Sequence, residues 1–308
     1  MFFVLVILLG LGIMMRGRRS INTLLRDLDR GPSRAAAATN AIREAGTNLL
    51  PELLRIGFQN DSGMDLFLRS TLKPFLPKYH PPSERFRIEA HTAISILGTN
   101  AAYALVERLG QLPFVFSQKL PPSERYEHPV NQAAMALMLD LHTNAVPALI
   151  WGLQSSNEIL RLNVCYVLSS TPEPQVHKNA RVAQSLVEAI TPLLDSRSSA
   201  ELCLAINALG VFDPGPSAND RTVNRVVQLL AHPHSGVRTA AAFYLARAPQ
   251  QARQAKNFRR EIQEALDREN KAADEPPPEN PSPVGTQPKK ERVFLLNSLL
   301  KWMDAPAQ

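Results

Sequence analysis

Gly46-Thr47-Asn48-Leu49-Leu50-Pro51-Glu52-Leu53-Leu54 decides the fold, because its first three residues return twice in closely similar form. Gly98-Thr99-Asn100 leads into Ala101-Ala102-Tyr103-Ala104-Leu105-Val106, and His142-Thr143-Asn144 into Ala145-Val146-Pro147-Ala148-Leu149-Ile150. Each phrase lies between two apolar runs of helical period. A single helical hairpin cannot bury its apolar face alone, so a recurring helix–turn–helix junction points to hairpins stacked on one another. The expected fold class is all-α, an α-solenoid of stacked hairpins.

The helices before the three phrases agree with this. Ala38, Ala41 and Ile42, then Ala90, Ala93 and Ile94, then Ala134, Leu137 and Met138 recur three and four residues apart. That spacing places each set on one helix face, and the small residues let neighbouring repeats approach. Asn48, Asn100 and Asn144 are expected as N-caps of the following helices, accepting from amides that lack an intrahelical partner. Pro51 and Pro147 fall in the first turn, where a missing N–H costs nothing.

Further units lack the phrase and keep the pattern. The spacing predicts an inner helix over 158–168, then 182–194 paired with 200–209, with Gly210 as its C-cap. It predicts 221–231 paired with 237–246, and a charged helix over 255–268 as a polar end cap. His234-Ser235-Gly236-Val237-Arg238-Thr239-Ala240-Ala241-Ala242-Phe243-Tyr244-Leu245 resembles the inner-helix pattern of the HEAT repeat family. Residues 199–210 look like a second copy without the arginine. Ala41-Ile42-Arg43-Glu44-Ala45-Gly46-Thr47-Asn48-Leu49-Leu50-Pro51 resembles the opening repeat of HEAT-repeat proteins of the verrucomicrobial type, membrane-anchored or exported. Those proteins also begin with an apolar segment and a short Ser-x-x-x-Leu-Leu helix, here Ser20 to Leu28. The resemblance covers residues 20 to 268 and implies a fold of HEAT-like hairpins without an activity.

Composition narrows the function classes. The 308 residues carry a net charge of +6, with 44% hydrophobic and only 6% aromatic residues. Arg16, Arg18 and Arg19 account for part of the excess, and residues 31–248 are nearly balanced. Nucleic-acid binding needs a concentrated basic stripe, so no nucleic-acid partner is expected. Cys165 and Cys203 are the two cysteines, too few for a disulfide framework. They read as buried free thiols, with a bond between neighbouring repeats as the alternative.

Residues 2–15 form an uninterrupted apolar run, expected as an N-terminal apolar helix within a 1–19 anchor or signal-like segment. A full span needs about 20 residues, and a secretory signal would carry a basic region before the apolar core. Neither condition is met, so membrane association is expected through this segment. The basic cluster on its C-terminal side would hold the body in the cytoplasm. A basic leader upstream would reverse that, and the side of the membrane stays open. The body, 20–270, is the solenoid. Asp274-Glu275-Pro276-Pro277-Pro278-Glu279-Asn280-Pro281 marks a Pro-rich linker over 271–290, expected to be extended. In the last segment, 291–308, Leu295, Leu299 and Trp302 recur at helical spacing. This short amphipathic helix either docks elsewhere, on a partner or on a second copy, or folds back on the same body.

The sharpest functional clue is a repeated loop. Pro81-Pro82-Ser83-Glu84-Arg85-Phe86 returns as Pro121-Pro122-Ser123-Glu124-Arg125-Tyr126. In stacked repeats both copies would project from one edge. Arg85 with Phe86 and Arg125 with Tyr126 would then offer guanidinium and aromatic contacts to a peptide or anionic ligand. The alternative is structural: Ser before Glu caps a helix, and Pro-Pro stiffens the chain before it. Trp151, beside the third phrase, serves either as packing between helices or as a contact platform.

No catalytic constellation accompanies these features. Ser70-Thr71-Leu72-Lys73 matches a Ser-x-x-Lys spacing without the Ser-Asp-Asn and Lys-Thr-Gly elements that chemistry needs. His232-Pro233-His234 has no ligand cluster beside it, and no phosphate-binding Gly-rich loop occurs. No cofactor, metal or enzymatic activity is expected. The function expected is a non-catalytic, membrane-tethered scaffold with a protein partner. The alternative is a nucleic-acid-acting enzyme such as a HEAT-type DNA glycosylase, which would need a basic cleft with a Trp and an Asp.

Overall fold

The computed structural model describes residues 20–59, 67, 82–114, 128–140, 142–170, 180–212, 220–247, 258–271 and 289–304. Among them every regular element is helical. The chain divides into two compact units, Met1–Leu105 with Gln132–Ala145, and Val106–Asn131 with Val146–Gln308. Residues 2–15, the second loop copy at 121–126 and most of the Pro-rich linker lie outside the described residues. No helix among the described residues is long and apolar enough to cross a membrane.

Unit 1 opens with α1 (Ile21–Leu28), capped by the Ser20 hydroxyl, which accepts from the Thr23 amide at 3.4 Å. Leu24 and Leu25 are its buried face, and it packs on α2 (Gly31–Ala45). A 3-10 turn over Gly46–Leu49 leads into α3 (Leu50–Gly57). Then comes α4 (Pro82–Leu109), two helices joined across a kink at Gly98. The predicted inner faces are buried: Ala38 and Ile42, Ala90, Ala93 and Ile94, and Ala134 with Leu137.

The recurring phrase works differently from the expectation. Gly46 has φ +60°, Gly98 φ +57° and His142 φ +42°, so the first residue of every phrase adopts positive φ. That residue, and not the asparagine, turns one helix into the next. The chain then runs on through a helical turn, so the asparagine never reaches a capping position. Asn48 sits inside the 3-10 turn, and the cap of α3 is Leu49, with no side-chain hydrogen bond. Asn144 lies within the 3-10 turn His142–Ala145, and Asn100 inside α4. Pro51 is in the first turn of α3 as expected.

Unit 2 holds α6 (Val146–Leu153), α7 (Glu158–Ser169), α8 (Ala180–Ile190), α9 (Ser199–Phe212), α10 (Asp220–Leu229), α11 (Ser235–Arg247), α12 (Phe258–Lys271) and α13 (Lys289–Asp304). The element α5 (Pro129–Met135) precedes them in the chain. Two layers follow from the packing. In one, α7 touches α9, α9 touches α11 and α11 touches α13; in the other, α6 touches α8 and α10 touches α12. Antiparallel pairs stacked in register are what the sequence pattern implied. Asn157 is a true N-cap, accepting from the Ile159 and Leu160 amides at 3.0 and 3.3 Å while its amide donates to the Gly110 carbonyl at 3.2 Å. Gly152 allows close packing, since a Cβ there would meet Val106 Cγ1 at 2.8 Å and Val164 Cγ2 at 2.9 Å.

Buried ion pairs tie successive pairs together. Arg161, in the first turn of α7, donates to the Ser155 carbonyl at 2.8 Å and pairs with the buried Glu201 of α9, which also accepts from the Ser196 hydroxyl. Arg238 holds the corresponding place in α11. It donates to the His232 and Pro233 carbonyls at 3.1 and 2.8 Å and to Glu269 of α12 at 2.6 Å.

The Gly210 C-cap and the polar end cap over 255–268 are corrected here, and of the two readings of the C-terminal helix the fold-back one fits. Gly210 is not a C-cap, because α9 continues through it to Phe212. The C-terminal helix folds back as the second member of the last pair, the alternative to docking elsewhere. Leu296 and Leu299 are buried and Leu295 half-buried, and the helix packs on α12 and α11. Arg292, itself buried, donates to Glu269 through Nε at 3.0 Å. The helix over 258–271 is consequently covered rather than terminal. The side chain of Trp302 lies outside the described set.

Candidate functional site

The first loop copy is tied down inside unit 1. Arg85 pairs with Asp29, at the end of α1, and with Glu89 Oε1 at 3.2 Å. Arg26 stacks over the Phe86 ring, 5.5 Å from its centroid. These contacts join the start of α4 to α1, and Arg85 is still exposed. Burial raises the Glu89 carboxyl, against the lowering effect of Arg85 and Arg26. Arg125 and Tyr126 lie outside the described residues. Trp151 is 45% exposed on α6.

Sequence spacing does not show the polar cluster of unit 1. His91 Nδ1 lies 2.7 and 2.9 Å from the two Asp140 oxygens, and Nε2 lies 3.0 Å from the Gly57 carbonyl. Ser95, one turn along the same helix, donates to the Asp140 carbonyl at 2.8 Å. The edge of Phe58 meets the His91 ring at 4.8 Å. Serine, histidine and aspartate are therefore neighbours, yet the geometry is not that of a hydrolase triad. A triad needs Nε2 facing the serine hydroxyl to take its proton, whereas here Nε2 faces a backbone carbonyl. Both ring nitrogens meet groups that only accept, which the imidazolium alone can satisfy. Hydrogen bonding to Asp140 is the main cause of a raised His91 pKa, and burial opposes it. The cluster latches α3, α4 and the π turn Ala136–Asp140 together.

The two thiols are inert. Cys165 and Cys203 are both free and buried. Burial pushes both up, Cys203 to about 12, so neither forms a thiolate near neutrality.

Unit 2 carries a groove of about 310 Å³ across α7, α9 and α11. Its floor is apolar, with Leu204, Ile206 and Val211 from α9 and Ala240 and Phe243 from α11. Its rim is polar: Tyr166, Ser169 and Ser170 from α7, Asn207 from α9, and Arg247 from the end of α11. The Tyr166 hydroxyl donates to Asn131 at 2.7 Å, which fixes one wall, and Ser169 donates to the Tyr166 carbonyl at 2.9 Å. Asn207 is half-buried, and its amide makes no side-chain hydrogen bond among the described residues. Gly210 makes the space: a Cβ there would come only within 4.0 Å of Arg247 Nη1 and Tyr244 Cδ2. An apolar floor with a few convergent polar groups is how small binding sites are built, at the lower end of the usual range of about 300–1,000 Å³.

The sequence contained one signal for this groove, Gly210 in the middle of an apolar helical run. Read from the sequence alone, that glycine marks a helix end. Among the described residues of unit 2, Trp151, Leu295 and Leu299 are not part of the groove's lining.

Among the described residues, unit 2 is an all-α stack of helical hairpins with a groove on one helical layer. No family model matches the chain, and no curated protein matches it. Solved structures do match. Among them is a designed armadillo repeat protein in complex with the peptide (KR)4, 15% identical over 75% of this chain and 99% of that one, with a TM-score of 0.38. A superposition that loose defines neither the fold nor a ligand for this chain.

Proposed function

We propose that this chain is a non-catalytic protein-interaction scaffold that takes an extended segment of a partner protein into the groove across α7, α9 and α11. The observation that carries this reading is Asn207. A primary amide offers one carbonyl and two N–H donors, matching the donor and acceptor of a peptide unit. Half-buried and without a side-chain hydrogen bond among the described residues, it is positioned to pair with a peptide backbone. The apolar floor beside it accepts a side chain of the same segment. Residues 2–15 serve as the membrane tether in this proposal, which a membrane-fractionation comparison of the full chain with one lacking residues 2–15 checks.

The loop copy at Arg85 and Phe86 is less suited to the role, because both side chains already serve α1. Self-association through the C-terminal helix is likewise disfavoured, since Leu296 and Leu299 are already covered. A nucleic-acid-acting role finds no support in unit 2, where Arg161, Arg238 and Arg292 are engaged with buried carboxylates.

Panning a displayed library of random 12-residue peptides tests the proposal, with Gly210→Trp as the control. The indole would fill the groove from its open side. Peptides that bind the native chain and lose binding to Gly210→Trp are expected. Enrichment indifferent to the substitution, or no enrichment, would overturn the assignment.

A further inference from the structure

Three elements of unit 1 meet at His91, and only one protonation state of its ring can bond to all of them. We infer that His91 is a proton-gated latch: the imidazolium ties the last turn of α3 to α4 and to the π turn Ala136–Asp140, and loss of one proton frees the end of α3 while the bond to Asp140 stays. The latch shares no residue with the groove of unit 2 and does not depend on peptide binding there.

The two ring nitrogens have unequal partners. Nδ1 faces both Asp140 oxygens, at 2.7 and 2.9 Å, and Nε2 faces the Gly57 carbonyl at 3.0 Å. A neutral imidazole keeps one N–H and presents a lone pair at the other nitrogen. An N–H bonds more strongly to a carboxylate than to a neutral carbonyl. The remaining proton therefore stays on Nδ1, and Nε2 meets the Gly57 oxygen lone pair to lone pair. One proton thus turns that contact from attraction to repulsion. The cation is well placed while it lasts, since Gly57 ends α3 and helix C-termini carry partial negative charge. Release is local. Leu50, Leu53 and Leu54 stay buried along the rest of α3, and Arg87 still donates to the Gln59 carbonyl at 3.1 Å.

Among the described residues two charges act on His91. Asp140, from the π turn, favours the cation, and Arg87, one turn earlier on α4, opposes it. The charged residues of α3, Glu52 and Arg55, are exposed and pair with each other at 2.6 Å, and α5 carries no charged residue. Glu89, on α4, pairs with Arg85. Hydrogen bonding to Asp140 outweighs burial and raises the His91 pKa, so the latch opens on the alkaline side of the ordinary histidine value of about 6.5.

NMR of the isotopically labelled full chain across pH tests the latch. Ring nitrogen shifts of His91 follow its protonation and identify the nitrogen that keeps the last proton. Amide exchange of Gly57 and Phe58, corrected for the intrinsic pH dependence of exchange, follows the end of α3. The Phe58 amide donates to the Leu54 carbonyl at 3.0 Å, so its exchange reads the last turn directly. Exchange of both amides should rise about tenfold or more above the His91 midpoint. The ring should keep its proton on Nδ1, and the amides of α2 should show no such step. His91→Gln should remove the step, and Asp140→Asn should move it to lower pH together with the midpoint. Circular dichroism establishes that each variant is folded, and the native chain alone decides the matter if either is not. Exchange that stays flat across the midpoint, a last proton kept on Nε2, or an equal rise throughout α2 would overturn the latch.

Discussion

Replacing Glu269 by Gln should unfasten the last helical pair. The Glu269 carboxylate is 3% exposed and accepts from Arg238 Nε at 2.6 Å, Arg292 Nε at 3.0 Å and Arg292 Nη2 at 2.9 Å. The glutamine amide is neutral and can accept at only one of its two ends. Two guanidiniums would then stay in the interior without a counter-charge. Breaking a buried pair in this way costs about 3–5 kcal/mol. Arg238 retains two backbone carbonyls, at 3.1 and 2.8 Å, so part of its penalty is met. The lower end, about 3 kcal/mol, is therefore expected. Arg292→Met should cost less, about 1–2 kcal/mol, because Glu269 keeps Arg238 and the methionine still covers apolar surface. Urea unfolding followed by circular dichroism measures both, with limited proteolysis reporting whether α13 is released. The order Glu269→Gln worse than Arg292→Met is the discriminating result. A loss below about 1 kcal/mol for Glu269→Gln would refute the reasoning, placing the network in the class of exposed pairs. The pH dependence has a fixed sign. Burial alone would raise the Glu269 carboxyl, but Arg292 and Arg238 outweigh it and hold it below the usual value. Its stabilisation is present above the unfolded-state pKa of about 4.3 and is lost as pH falls through the lower folded value.

Other outcomes follow from the same geometry. His91 has a raised pKa, so its contribution should be full below the unfolded value of about 6.5 and vanish as pH rises through the folded one. Asp140→Asn should flatten that dependence and lower the His91 titration midpoint followed by NMR. Gly152→Ala should destabilise by about 1–3 kcal/mol, because the new methyl meets two valines. Gly210→Ala, equally helical but open, should stabilise by about 0.5–1 kcal/mol, and thermal melts separate the two. At the junctions, Gly98→Ala should cost about 1–3 kcal/mol although nothing lies within 4 Å of its Cβ, because the penalty is in the backbone. His142→Gly should raise the melting temperature by relieving positive φ.

The hairpins were legible because their signals are local. Apolar spacing set the helices, and the ends of α7 and α11 fell within a residue or two of their expected limits. The repeated phrase located the junctions correctly and misassigned their mechanism. Asparagine beside a helix start is a strong capping signal, but glycine two residues earlier already makes the turn, and positive φ is invisible at His142. Gly210 failed for a related reason: glycine after an apolar run marks either a helix end or a missing side chain, and only the neighbouring α11 distinguishes them. His91 and Asp140 are separated by 49 positions, and Glu269 lies 23 positions from Arg292 across the Pro-rich segment. Such partners are matched by stacking, which no short spacing encodes. The C-terminal helix was legible as a helix, but its buried face centres on Leu296 and Leu299 with Leu295 half-buried, and its partner became known only from the packing on α11 and α12.

The central claim is that the layer of α7, α9 and α11 receives a partner segment. Amide chemical-shift mapping of a groove-dependent peptide on isotopically labelled protein tests it directly. The account predicts saturable shifts centred on Ser169, Ser170, Asn207, Phe243 and Arg247, with α8 and α10 undisturbed. Shifts confined to α8 and α10, or to the Arg85 region of α4, would contradict it.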